Sequence, residues 1–381
     1  MSSSQHLEYG DGGDENQGSA NLLEDKYRKQ MRQIYPQKIE LPISTLQQMI
    51  SDQITLNPEF QRRGRWDNKR KSRFIESLIM NVPVPPVFLG EDEYGSYVVL
   101  DGRQRLTALH EFLSNTYELE GLTVWSELNT KRYVDLVKEG LHKALTRRFI
   151  PAILLLKESS PEVKYDVFDR LNTGGVRANE MEIRNAVFRG GFTTLLHELS
   201  GSTTFRRLWG IPTDQHKLED DPIYSAMEDV EFVLRFFAVQ DAGAIDGRFK
   251  DYLSLYLKQR NEAYGADAGL VNQDRYLFER AVSNAANLLG DEAFMRKSKD
   301  GKDRRSAPLS DAILYGMARI DSTLIVDGDQ ALAREAKDAL LTDPAFLGAI
   351  TSGTNGKGAI GLRTSAARNA FEAALPHAAK A

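Results

Sequence analysis

Tyr97-Val98-Val99-Leu100-Asp101-Gly102-Arg103-Gln104-Arg105-Leu106-Thr107-Ala108-Leu109 is the stretch from which the organisation of this 381-residue chain can be read. Four apolar residues in a row, two of them β-branched, predict a short buried strand. Asp101-Gly102 ends it, because glycine lets the backbone turn without a Cβ clash. Leu106, Leu109 and Leu113 then recur at helical spacing and predict a helix over 105–113. A buried strand that runs through a polar turn into a helix is the arrangement in which α/β folds place ligands, at the C-terminal ends of strands. The helix N-terminus offers N–H donors and a partial positive charge. Arg103 and Arg105 add ionic donors, and Asp101 is of the type that holds a divalent cation or orients a water. A plainer reading is also open: Asp101 caps the helix and the arginines pair with surface acids.

Working upstream, Asn57-Pro58 signals a turn. Phe60-Gln61-Arg62-Arg63-Gly64-Arg65-Trp66 follows, then Asp67 as the cap of a helix to about Met80, with Phe74, Ile75, Leu78 and Ile79 on its apolar face. Between Phe60 and Phe74 seven cations face one acid, Asp67. Lys69, Arg70 and Lys71 fit a solvated helix face. Arg62, Arg63 and Arg65 sit in a loop, and two readings stand side by side: a polyphosphate or nucleic-acid backbone site, whose oxygens suit guanidinium forks, and a solvated loop. Further upstream, Ser44 is the expected N-cap of a helix ending near Ile54.

Val84 to Leu89 reads as a Pro-rich extended segment, Asp92 to Gly95 as a turn, and Ile150 to Leu156 as another apolar strand. The fold class expected is α+β, with a mixed α/β domain over 37–160 followed by a mainly helical domain over 161–381. Residues 1–36 read as a Ser-, Gly- and Gln-rich disordered tail and a charged lead-in helix. In the second domain the spacing predicts helices at 179–189, 192–200, 225–240, 247–262, 270–289, 308–320 and 328–341. Arg296 to Arg305, with six basic and two acidic residues, reads as a loop. Gly353 to Gly361 reads as a mobile loop before a short helix.

Composition removes several function classes. Lys plus Arg is 49 against 54 Asp plus Glu, so the net charge of −5 excludes coating nucleic acid by bulk charge while leaving a local basic site open. Cysteine is absent. That excludes thiolate zinc sites, cysteine nucleophiles and thiol redox chemistry, and it fits a cytoplasmic protein. The histidines are scattered without zinc-ligand spacing. There is no phosphate-loop lysine motif and no Gly-x-Ser-x-Gly elbow. No apolar run is long enough to span a membrane, and the first residues have no secretory h-region.

A third cluster is Phe168-Asp169-Arg170-Leu171-Asn172-Thr173-Gly174-Gly175, followed by Glu182-Ile183-Arg184-Asn185. Its glycines are explained by a helix C-cap and a tight turn. The crowding of Glu182, Arg184 and Asn185 behind them is not. Asn57-Pro58-x-x-Gln61-Arg62, the helix, the Pro-rich strand, Leu100-Asp101-Gly102-Arg103-Gln104-Arg105-Leu106-Thr107 and this third cluster occur in the order seen in the ParB/sulfiredoxin-like superfamily. More closely, they resemble the N-terminal domain of GmrSD-type restriction endonucleases. In that family Arg103 is typically Gln. The resemblance covers roughly residues 40–260.

It implies a nucleotide-binding, possibly triphosphate-hydrolysing subunit of a DNA restriction or antiviral defence system, with Mg2+ and a nucleoside triphosphate as cofactors and with nucleotide, DNA and a separate nuclease as partners. Asp101 (also the metal ligand), Gln104 and Arg105 are the expected catalytic set. Gln61, Arg62, Arg63, Gly102, Arg103, Thr107, Asn172 and Thr173 are the expected nucleotide-binding set. The family's His-Asn-His nuclease has no counterpart around His197, His216 and His377. Sulfiredoxin activity is excluded for want of its cysteine. The rival readings are a DNA-binding module without turnover, and a nuclease within the ParB-like domain using Asp101.

Overall fold

A computed structural model describes residues 36–56, 66–159, 163–165, 167, 180–298 and 300–379. The tail, the lead-in helix, the Gln61–Arg65 loop and the Asn172–Gly175 turn lie outside them.

The local turn Asp101-Gly102 organises a five-stranded mixed sheet in the order β1-β5-β3-β4-β2. Its strands are β1 (Pro36–Pro42), β2 (Ile54–Thr55), β3 (Val87–Glu93), β4 (Ser96–Asp101) and β5 (Phe149–Leu155). β3 and β4 form an antiparallel hairpin that turns at Gly95, and β5 runs parallel to β3. β1 closes the far edge antiparallel to β5. Side chains alternate across a strand, so each strand feeds two faces. Val87, Leu89, Val99, Ala152 and Leu154 pack on one face. They meet α1 (Ile43–Asp52), α2 (Asn68–Ile79) and α3 (Arg103–Leu113) through Leu46, Ile75, Leu78, Leu106, Leu109 and Phe112. Leu100 and Leu155 point to the other face, where Ile183 of α6 (Glu180–Val187) covers them.

Asp67 caps α2 as its position suggested: its Oδ1 accepts from the Arg70 N–H at 2.7 Å. Ser44 does not cap α1. That helix begins at Ile43 with Pro42 at the N-cap and no side-chain cap, since the chain leaves β1 already extended at Pro42.

From α6 onward the described chain is mostly helical. Phe192, Phe236, Phe237, Phe278, Phe294, Phe346 and Phe371 share one core. The principal helices are α7 (Gly191–Ser200), α8 (Thr203–Trp209), α9 (Gln215–Asp220), α10 (Pro222–Ser225), α11 (Glu228–Ala238), α12 (Phe249–Ala266), α13 (Leu270–Leu289), α14 (Ala307–Met317), α15 (Asp329–Thr342), α16 (Pro344–Thr351) and α17 (Lys357–Ala374). Two expectations are corrected here. The Arg296–Arg305 segment is not a plain loop but an antiparallel ribbon, β6 (Met295–Lys297) with β7 (Asp303–Arg305). The glycine-rich stretch enters α17 at Lys357, so Gly358 and Gly361 are helical. Ile360, Arg363, Ala367 and Phe371, buried at helical spacing, hold that helix against the core despite its glycines.

Candidate functional site

The site is built on the turn between β4 and α3. Gly102 is the N-cap of α3 with φ 89° and ψ 11°, a left-handed conformation that costs a residue with a Cβ about 1–3 kcal/mol. The space is closed as well: a Cβ there would stand 2.5 Å from Val87 Cγ1 and 2.9 Å from Arg105 Nη2. Glycine is thus required twice over.

Arg105 lies one turn along the helix and folds back over the glycine. Its Nη2 donates to Asp101 Oδ2 at 3.0 Å. Its Nη1 donates to the carbonyls of Pro85 and Pro86. Pro85 and Pro86, which lie just before β3 and have no N–H of their own, thus serve the turn as acceptors. The Arg105 side chain is 12% exposed and that of Asp101 43%. Burial pulls the guanidinium below its ordinary value and the Asp101 carboxylate pushes it back. Arg105 remains a cation at any working pH.

The neighbours of Arg105 face elsewhere. The Arg103 guanidinium donates to the carbonyl of Leu56. The Gln104 Oε1 accepts from the N–H of Trp66 at 3.1 Å. Leu56 and Trp66 flank the stretch 57–65 that carries Gln61, Arg62 and Arg63. Two consecutive side chains of the turn therefore hold the two ends of the basic stretch. Trp66 is itself fixed edge-on to Phe74, with the Arg70 guanidinium 4.9 Å from its ring centre.

Beside this turn opens a cleft of about 700 Å3. It is lined by Arg103, Gln104, Thr107 and His110 of α3, by the end of α1 with β2, and by Gln215, Glu219 and Tyr224 of α9 and α10. His110 is half-buried, with Nδ1 enclosed and without a hydrogen-bond partner among the described residues. Sequence reading did not bring Gln215, Glu219 or Tyr224 to the site, because α9 and α10 are too short to give a periodic signal. Nor did it single out Pro85, Pro86, Leu56 and Trp66, which contribute backbone atoms.

The Glu182-Ile183-Arg184-Asn185 run sits at the seam between the sheet and the helices. Arg184 is fully buried. It donates to Ser254 Oγ at 3.1 Å, Glu231 Oε2 at 3.0 Å, Glu180 Oε2 at 3.0 Å and the Lys250 carbonyl at 2.9 Å. These contacts tie α6 to α11 and α12. Among the described residues no group of three His, Asp or Glu side chains is arranged to hold a metal ion.

Residues 43–189 match the family model described as the GmrSD restriction endonuclease N-terminal domain. The matched segment contains the sheet except β1, the turn, both flanks of the 57–65 stretch and α6. This part of the chain is thus similar to the N-terminal domain of GmrSD restriction endonucleases. No curated protein and no solved structure matches the chain. No described helix is long and apolar enough to cross a membrane.

Proposed function

We propose that the chain is a nucleotide-binding subunit of a DNA restriction or antiviral defence system, working with a nuclease, and that the nucleotide's phosphates lie at the N-terminus of α3. The observation that carries this reading is the tether: Arg103 and Gln104 hold the two ends of the stretch bearing Arg62 and Arg63 against the helix N-terminus. A triphosphate is the ligand whose charge suits several arginines and a helix dipole together.

In this reading Arg62 and Arg63 neutralise phosphate oxygens. Arg105 works through the turn, holding Asp101 and the Gly102 backbone in place. Thr107 and the α9 and α10 residues of the cleft meet the rest of the nucleotide. Asn172 and Thr173, which lie outside the described residues, complete the nucleotide-binding set in this reading. Hydrolysis follows from the same set, because phosphoryl transfer is catalysed mainly by positioning and charge neutralisation. Asp101 alone, already paired with a guanidinium, does not make a divalent-cation site. Mg2+ would be held chiefly by the phosphates of the triphosphate, with Asp101 as the protein carboxylate that would complete its hold, and it would neutralise phosphate charge there. The same fact weakens the reading of a nuclease centred on Asp101, since such sites gather several carboxylates.

The test is binding of the four ribonucleoside triphosphates with Mg2+, and then phosphate release, for the wild type, the Arg62→Ala/Arg63→Ala double variant and Arg105→Ala. Saturable binding in the wild type is expected to weaken at least about tenfold in the double variant, the loss of one to two charge-assisted contacts. Arg105→Ala is expected to lose binding together with some thermal stability. Unchanged affinity in both variants, or no binding by the wild type, defeats the reading.

A further inference from the structure

The β6–β7 ribbon is paired in the register Met295 to Arg305, Arg296 to Arg304 and Lys297 to Asp303. One face is committed to the body of the protein. Arg305 Nε donates to the Leu208 carbonyl at 2.7 Å, and its guanidinium lies so close over Gly210 that a Cβ there would meet it at 2.5 Å. The Ser306 N–H closes the base of the ribbon on the Phe294 carbonyl at 3.0 Å. Alternation then puts Arg296 and Arg304 together on the other face, directly across the ladder from one another.

Like charges directly opposite destabilise a ladder. Little nearby offsets them. Asp300 accepts from the Ser298 hydroxyl, the Lys302 N–H and Arg304 Nη2, so its charge is shared with the turn. Its pair with Arg304 is 44% and 63% exposed, and an ion pair so open to water contributes little. Asp303 belongs to the opposite face. Arg296 is half-buried: among the described residues it donates to the Lys297 carbonyl at 3.2 Å, and its Nε is enclosed without a partner. Lys297 and Lys302 are exposed at the edge and the turn. Six cations against Asp300 and Asp303 give the stretch Arg296–Arg305 a charge of +4 in a chain of net charge −5.

We propose that the ribbon is a docking element for duplex DNA, with Arg296, Arg304 and Lys302 on phosphate oxygens. A two-stranded antiparallel ribbon is of the width that the B-form major groove admits. The deep, narrow major groove of duplex RNA does not admit it. The ribbon is braced at its base and charged on its free face, as a phosphate-contacting element must be. The inference draws on the reading above only for DNA as the class of partner. It shares no residue with the cleft.

The experiment is anisotropy of labelled duplex DNA titrated with the full chain over a salt series. It compares the wild type with Arg296→Ala/Arg304→Ala and, as a separate variant, Lys302→Ala. The double variant is expected to lose about tenfold in affinity at low salt, and its slope of log K against log salt to flatten by about two, one for each phosphate contact removed. Its melting temperature is expected to stay close to that of the wild type, which separates lost contact from lost fold. Lys302→Ala is expected to flatten the slope by about one. No duplex binding by the wild type, or an unchanged affinity and slope in the double variant, overturns the proposal, and so does equally tight binding of duplex RNA. Repeating the titration with Arg62→Ala/Arg63→Ala keeps the two readings apart. Nucleotide binding lost there with duplex binding retained leaves the ribbon standing, whereas duplex binding lost with nucleotide binding retained would move the DNA contact to Arg62 and Arg63 and count against both readings.

Discussion

The sheet unit and the helical unit use arginine in opposite ways. At the β4–α3 turn Arg105 keeps partial contact with solvent and spends its donors on two proline carbonyls and one carboxylate. In the helical unit Arg235 and Arg363 are buried around a single Asp311. Oδ2 of that carboxylate is 2.5 Å from Arg235 Nη2 and 2.6 Å from Arg363 Nη2. Burial pulls both guanidinium groups down. For Arg235 the Asp311 carboxylate more than offsets it, while Arg363, which also feels Arg235, stays below its ordinary value. Arg363 also donates to the Thr354 carbonyl, and Arg235 reaches Asn355 Oδ1 at 3.4 Å, so the triad secures the turn before α17. What distinguishes a site arginine from a scaffold arginine is therefore its partners and its access to water, not its neighbours in sequence.

The sharpest way to break this comparison is Asp311→Ala. It leaves two buried cations without their carboxylate and is expected to cost about 3–5 kcal/mol, read as a lower midpoint in denaturant. A loss below about 1 kcal/mol would mean that water reaches the triad and that it is no scaffold.

Next in size is Gly102→Ala. The left-handed φ and the contact with Val87 are expected to cost about 1–3 kcal/mol and to displace Arg105 from Asp101. Nucleotide affinity should fall with it, while Asp311→Ala variants that remain folded should keep theirs.

The smallest effect concerns Lys337, buried in α15 with its Nζ on the Glu292 carbonyl. Burial lowers its pKa, so the unfolded chain holds this proton more tightly than the folded one. Stability from this group is then lowest at neutral pH and rises as pH climbs from the lowered value to the ordinary lysine range. Wild type is expected to gain on Lys337→Met across that window. The check is denaturation of both proteins at neutral and alkaline pH.

The centre of the fold was legible in the sequence because local signals there agree with tertiary ones. Tyr97–Leu100 is apolar because the strand is buried, and Asp101-Gly102 is polar and flexible because the chain must turn. The edge of the sheet gave no such signal. β1 carries Lys38 and Glu40, has prolines at both ends and is mostly exposed, so no alternation marks it. The ribbon strands are three residues each and charged, which looks like a loop until the pairing is seen. At the candidate site, the residue types of the turn were legible, but not their partners. The acceptors for Arg103 and Arg105 are backbone carbonyls, which every residue has and no sequence pattern distinguishes.

The register of β1 has a kinetic consequence. Pro36 pairs with Leu155, and Ile39 with Ala152, across most of the length of the unit. The β3–β4 hairpin, by contrast, closes on a tight turn at Gly95. Closing a long loop costs entropy before its contacts repay it, so pairings distant in sequence are slow to form. The turn that bears Asp101 to Arg105 hangs from the local hairpin rather than from the distant edge. During synthesis the end of the sheet that bears the Asp101–Arg105 turn can take shape while β1 still waits for a partner strand that the ribosome has yet to deliver.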